Sequence, residues 1–65
     1  MAKVYEFLAD GFEEIEALAP VDVLRRGGVE TVMVSIMARR EVVSAHGVTV
    51  VADLMIEEAG DFSDA

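Results

Sequence analysis

The chain is short, strongly acidic and free of cysteine. It has 65 residues, of which 5 are basic and 13 are acidic, and a net charge of -8 at pH 7. Nucleic acids and anionic membrane surfaces attract basic proteins, so this charge argues against both as partners. Zero cysteines exclude a disulfide framework, a thiolate metal site and a cysteine nucleophile within these residues. We also expect no metal and no other cofactor.

Length and hydropathy limit the architecture to one domain at most. A chain of this size buries only about 60% of its unfolded surface, although 54% of its residues are hydrophobic. We expect no signal peptide, and no apolar run approaches the ~20 residues of a membrane span. These features predict a cytoplasmic protein.

The first half of the sequence predicts a strand, a helix and a second strand. Lys3 to Leu8 is rich in β-branched and aromatic residues, which favours a strand. Ala9 to Phe12 is a loop, and Glu13 to Arg26 has helical periodicity that stops at Gly27-Gly28. Glu30 to Ile36 predicts the second strand. A helix between two strands favours a right-handed βαβ crossover with the strands parallel.

Pro20 interrupts the predicted helix. It removes the backbone hydrogen bond to the Glu16 carbonyl and costs ~3 kcal/mol in a helix interior. Two short helices or one kinked helix would accommodate it. Because the apolar pattern continues in register past the proline, we predict a single kinked helix.

A hairpin and a short helical turn follow. Glu41 to Ser44 and Val48 to Ala52 flank Ala45-His46-Gly47, which predicts a β-hairpin because glycine accepts positive φ. Asp53 to Glu58 predicts a helical turn capped by its first residue, and Gly60-Asp61 ends it. A parallel sheet needs cover on both faces, and one long helix cannot supply it. Residues 1–65 therefore indicate part of something larger, with an unfinished core.

Glu16 is the main candidate for chemistry. At ~100° per residue, it falls in the middle of the apolar side of the helix. A carboxylate that faces a core must be paired or neutralised, since burial raises its pKa, and such groups often mark functional sites. The alternative is a purely structural carboxylate, which caps a neighbouring backbone amide or lies at a wet interface. The apolar residues around it are Ile15, Ala17, Ala19, Pro20, Val23 and Leu24.

Two common α/β sites fit this sequence poorly. A phosphate-binding loop needs glycine-rich backbone at a helix N-terminus, whereas glutamates fill the first turn here and would repel phosphate. Glu13 and Glu14 are interpreted as ordinary charges at a helix start. A phosphoacceptor pocket built from Asp10 and Asp53 lacks the intervening helix and the later lysine, so Asp53 is interpreted as a helix cap.

The stretches FLADGFEEIEALAPVDVLRRGGVE and EVVSAHGVTVVAD resemble the opening of the DJ-1/ThiJ/PfpI superfamily. The resemblance runs from about Lys3 to Ala65, and GFEEIEALAPVDVLRR is its most diagnostic part. It implies a flavodoxin-like α/β sandwich considerably longer than this chain. Residues 1–65 would be the incomplete, N-terminal part of that single domain, and the remainder of the domain would be the first partner. It also implies a homodimer with a contact through the first helix.

The resemblance assigns roles to particular positions. Glu16 corresponds to a glutamate that is protonated in the family and hydrogen-bonds a reactive cysteine on a strand-to-helix elbow. Gly11 matches the loop glycine before that helix, and Ile15 would contribute to the dimer contact. Arg26 and His46 occupy positions that lie near the dimer interface or the pocket in some relatives. For His46, a solvated turn residue is the simpler interpretation.

The implied activity belongs to a longer parent protein. The parent resembles a cysteine-dependent glyoxalase, deglycase or stress protein that acts on small reactive carbonyls, and thiazole monophosphate biosynthesis is another label in the family. The cysteine elbow and a later histidine are missing from residues 1–65, so this chain alone is expected to be inactive. The alternative is a non-catalytic assembly or interaction module.

Glu6 departs from the expected pattern, because a strand at the centre of such a sheet should be apolar. An unpaired carboxylate there is costly. It faces a pocket, faces an edge left open by missing strands, or is simply tolerated.

Overall fold

The computed structural model describes residues 3–65. Its elements follow each other in the order predicted for an α/β chain, with one addition, a very short strand before the last helix. They are β1 (Lys3–Leu8), α1 (Glu14–Arg26), β2 (Glu30–Ser35), β3 (Glu41–Val43), β4 (Thr49–Val51), β5 (Leu54–Met55) and α2 (Ile56–Ala59).

The main sheet has three parallel strands in the order β1-β2-β5. β1 and β2 pair along their whole length, from Lys3 opposite Glu30 to Leu8 opposite Ser35. The predicted βαβ unit with parallel strands is therefore confirmed. β2 is central, whereas no strand within residues 3–65 pairs with the other edge of β1.

α1 is one continuous helix that contains Pro20, so the prediction of a single helix rather than two is confirmed. The helix ends where the two glycines begin. The amide of Gly27 donates to the Val23 carbonyl at 3.0 Å, and the amide of Gly28 donates to Arg25 at 3.1 Å. Gly28 has a φ of 82°, a left-handed conformation that suits glycine and stops the helix.

The predicted hairpin is also confirmed. β3 and β4 pair antiparallel as a separate two-stranded sheet, from Glu41 opposite Val51 to Val43 opposite Thr49. Gly47 lies in the turn with a φ of 80°.

Asp53 is not a helix cap, and that prediction is wrong. The short strand β5 follows it, and the residue that precedes α2 is Met55. The carboxylate of Asp53 instead accepts hydrogen bonds from the Met33 amide at 2.9 Å and from the Arg25 guanidinium at 2.8 Å. The reason is that these two donors lie beside the loop before β5 and hydrogen-bond the carboxylate there.

The hydrophobic core lies between α1, the main sheet and the hairpin. The other face of the main sheet is partly covered by Phe62. Its ring meets those of Tyr5 and Phe7 edge to face, at 4.7 and 5.1 Å between centroids. Among residues 3–65, no helix has the length and apolar character needed to cross a membrane. The buried core residues are Leu8, Val21, Met33, Val42 and Ala52.

Candidate functional site

The candidate site lies where β1 passes into α1. Ligands of open α/β sheets bind beyond the carboxyl ends of the strands, which is where this junction lies. Gly11 has a φ of 91°, so the chain turns there through a conformation that a side chain would disfavour. Its amide donates to the Val43 carbonyl at 2.8 Å, and the Ala45 amide donates to Phe12 at 2.8 Å. The hairpin is thereby held against the β1–α1 loop.

Asp10 reinforces this contact between the loop and the hairpin. One carboxylate oxygen accepts a hydrogen bond from the Val43 amide at 3.0 Å, and the other pairs with Arg39. The Val43 amide and then the Arg39 guanidinium lower the pKa of Asp10. Asp10 therefore acts as a structural bridge between the loop and the hairpin, a role that the sequence did not predict.

His46 joins the hairpin turn to the start of α1. Its Nδ1 lies 2.9 Å from one carboxylate oxygen of Glu14 and 3.6 Å from one of Glu13. The contact with Glu14 raises the pKa of His46. The pKa of Glu14 is lowered, first by a backbone amide and then also by His46. His46 is 65% exposed, in keeping with a solvated turn residue, but its pairing with Glu14 was not predicted.

Glu13, Glu14 and His46 also form a set of donor atoms within 4.8 Å of one another. An imidazole nitrogen and two carboxylates suit a divalent cation. The ion pair between His46 and Glu14 already accounts for the arrangement, so the geometry gives no separate reason to assign a metal.

Glu16 lies in the first turn of α1, and its side chain is exposed. The prediction that it faces the core of this chain is wrong. α1 instead buries Val21 and packs Ala17 and Leu18 against the core, and Ala17 alone of these three was on the predicted side. The helix is apolar over so much of its circumference that periodicity alone did not select the inner side.

The outer side of α1 is therefore formed by four residues of the predicted apolar side, Ile15, Ala19, Pro20 and Val23, whereas Ala17 packs against the core. Ile15 is 74% exposed and Val23 is 66% exposed. Ala19 and Pro20 are exposed between them. Glu16 thus borders an exposed apolar stripe at the start of the helix, and within residues 3–65 no element covers it.

Glu6 is a carboxylate on β1 with one enclosed oxygen. It is half-buried on β1, and its Oε2 is fully enclosed and accepts no hydrogen bond from residues 3–65. Burial raises the pKa of this carboxyl.

This architecture, a parallel βαβ unit with a hairpin docked at the carboxyl end of β1, is that of the DJ-1 superfamily. A DJ-1 superfamily protein from Salmonella typhimurium superposes with a TM-score of 0.86 at 41% identity, over 89% of this chain and 31% of that one. Oxidized DJ-1 from Toxoplasma gondii superposes with a TM-score of 0.85 at 40% identity, over 88% of this chain and 31% of that one.

Sequence comparison gives the same result. Residues 2–64 match the profile of the DJ-1/PfpI family, and the chain belongs to that family. An uncharacterized protein from Staphylococcus epidermidis is 42% identical over 88% of this chain and 33% of its own length. Protein DJ-1 homolog B from Arabidopsis thaliana is 42% identical over 80% of this chain and 12% of its own length. The chain thus spans a third or less of these relatives.

Proposed function

We propose that this chain is the N-terminal part of a cysteine-dependent DJ-1/ThiJ/PfpI-type enzyme or stress protein. The parent would act on small reactive carbonyls, as a glyoxalase or deglycase does, in the cytoplasm. Family membership over residues 2–64 supports the proposal. The chain has no cysteine, so the nucleophile would come from the remainder of the domain.

The position of Glu16 carries this proposal. It is the first-turn glutamate of a helix that begins at the carboxyl end of β1, and its side chain is unobstructed by residues 3–65. A cysteine on an elbow of the completed domain would meet it there. A protonated carboxyl that donates a hydrogen bond to a thiolate favours the charged sulfur and lowers the thiol pKa. The thiolate is the nucleophile that would add to the carbonyl carbon of the substrate.

Replacing Glu16 with glutamine in the intact parent tests this role. Glutamine keeps a donor but is a weaker one than a carboxylic acid, so the thiol pKa should rise. The reaction of the cysteine thiol with iodoacetamide below neutral pH should slow several-fold, and the turnover of methylglyoxal should slow in parallel. Glu41→Gln, an exposed change at the start of β3, is the matched control. An unchanged thiol pKa and rate in Glu16→Gln would show that Glu16 does not act on the thiol.

The alternative is a non-catalytic assembly module. The absence of cysteine favours it for this polypeptide taken by itself. The exposed residues Ile15 and Val23 would then dock on a partner. In the enzyme, the same outer side of α1 is our proposed contact between the two copies of a homodimer.

A further inference from the structure

Glu6 is half-buried, and its enclosed Oε2 has no hydrogen-bond partner within residues 3–65. Leu8, two residues further along β1, packs in the core with Val21 of α1. Because side chains alternate along a strand, Glu6 points to this α1-covered side of the sheet. Tyr5 and Phe7 point to the other side, where Phe62 packs. The last residues of the chain therefore lie on the opposite face from Glu6.

The basic side chains of the chain are all engaged elsewhere. Each of the five lysines and arginines has a carboxylate partner other than Glu6. His46 is likewise paired, with Glu14. The basic pairs are Lys3 with Asp64, Arg25 with Asp53, Arg26 with Asp22, Arg39 with Asp10 and Arg40 with Glu58.

An enclosed carboxylate oxygen without a donor is costly. Oε2 of Glu6 is in this position, and β1 is the strand with an edge left unpaired within residues 3–65. The chain also covers only 31% of the structures it matches. We infer that Glu6 is a docking contact, whose carboxylate accepts a hydrogen bond from a donor side chain in the part of the domain that completes the sheet beside β1. This inference rests on the proposal that the chain is part of a larger domain.

Replacing Glu6 shows whether the rest of the domain provides a donor for its carboxylate. If the donor is present, removing the carboxylate leaves that donor buried without a partner, and association weakens. If Glu6 has no donor, replacing it with an apolar residue removes a buried unpaired group, and association stays the same or becomes tighter. The two cases thus predict opposite effects of one substitution.

Calorimetric titration of the 65-residue chain with the completing polypeptide, defined as the residues that follow Ala65 in the parent, makes this comparison. We expect Glu6→Leu to weaken binding at least tenfold, whereas Glu41→Leu, the same change at an exposed strand residue, stays within about twofold of the unchanged chain. Both outcomes for Glu6→Gln support the inference. Binding near that of the unchanged chain indicates a neutral donor, and binding as weak as that of Glu6→Leu indicates a cationic one.

Two results would overturn the inference, and they have different consequences for the proposed function. If the unchanged chain binds but Glu6→Leu binds equally or more tightly, Glu6 has no donor, and the proposed function stands. If the unchanged chain does not bind the completing polypeptide at all, both the docking contact and the proposed N-terminal role fail.

Discussion

At the scale of single residues, the pair of His46 and Glu14 links two segments that are far apart in sequence. The pKa of His46 is raised by Glu14, so its contribution to stability is complete below its unfolded pKa and is lost as pH rises through its folded pKa. The pKa of Glu14 is lowered, so its contribution is present above its unfolded pKa and is lost as pH falls. The pair therefore stabilises the hairpin contact most between about pH 4.5 and about pH 6.5.

Replacing His46 with glutamine should remove this pH-dependent part of the stability. Urea unfolding of the parent, followed by circular dichroism, measures the free energy of unfolding. We expect His46→Gln to be less stable than the unchanged protein at about pH 5.5, with the difference shrinking by about pH 9 as the imidazole loses its proton. A difference that is the same at both values would mean that His46 contributes through packing and not through its charge.

At the scale of elements, sequence patterns predicted those features that short segments determine. β1, the hairpin and the Gly27-Gly28 helix stop follow from β-branched content, turn glycines and positive φ, all of which are local. The role of Asp53 was missed because its donors, Met33 and Arg25, lie 20 and 28 residues away in the chain. Nothing in the local sequence distinguishes this carboxylate from a helix cap.

The inner side of α1 was missed for a related reason. Its hydrophobic residues surround most of the helix, and the sheet selects one side through long-range packing against Leu8 and Met33. Glu16 was identified as a site candidate from periodicity and from family resemblance, but it is exposed rather than enclosed within residues 3–65. Its catalytic role stays a prediction.

The Asp53 contact gives a prediction for the link between α1, β2 and β5. Asp53→Ala removes an acceptor of a β2 amide and of Arg25, and should lower the free energy of unfolding by about 1–2 kcal/mol. Asp53→Asn keeps an acceptor for the Met33 amide and should lose less. Asp22→Ala breaks only the exposed pair with Arg26 and should stay within about 0.5 kcal/mol. Equal losses for Asp53→Ala and Asp22→Ala in denaturant titrations would contradict this account.

The outer side of α1 gives a prediction for assembly. Introducing a charge with Ile15→Glu should dissociate a parent dimer formed through this helix, because a buried unpaired carboxylate opposes the contact. Ile15 is 74% exposed, so the change should leave folding intact. Sedimentation velocity measures the mass, and Ile56→Glu, at a partly exposed position on α2, is the control. A parent that sediments as the same dimer with Ile15→Glu would place its interface elsewhere.

At the scale of the whole molecule, several features agree that residues 1–65 are part of a larger domain. Within residues 3–65, β1 has an unpaired edge, the outer side of α1 is apolar, and the enclosed Oε2 of Glu6 has no donor. The chain spans 31% of the solved DJ-1 structures it matches. These observations explain why a chain with 54% hydrophobic residues leaves large apolar side chains exposed.

The most direct test is a ¹⁵N–¹H correlation spectrum of the purified chain, recorded at two concentrations and again with the completing polypeptide. We expect broadened or poorly dispersed peaks for the chain alone and sharp, dispersed peaks on addition, with the largest changes in β1 and in the first turn of α1 around Glu16. A well-dispersed spectrum of the chain alone that does not change on addition would contradict the account and support an independent interaction module.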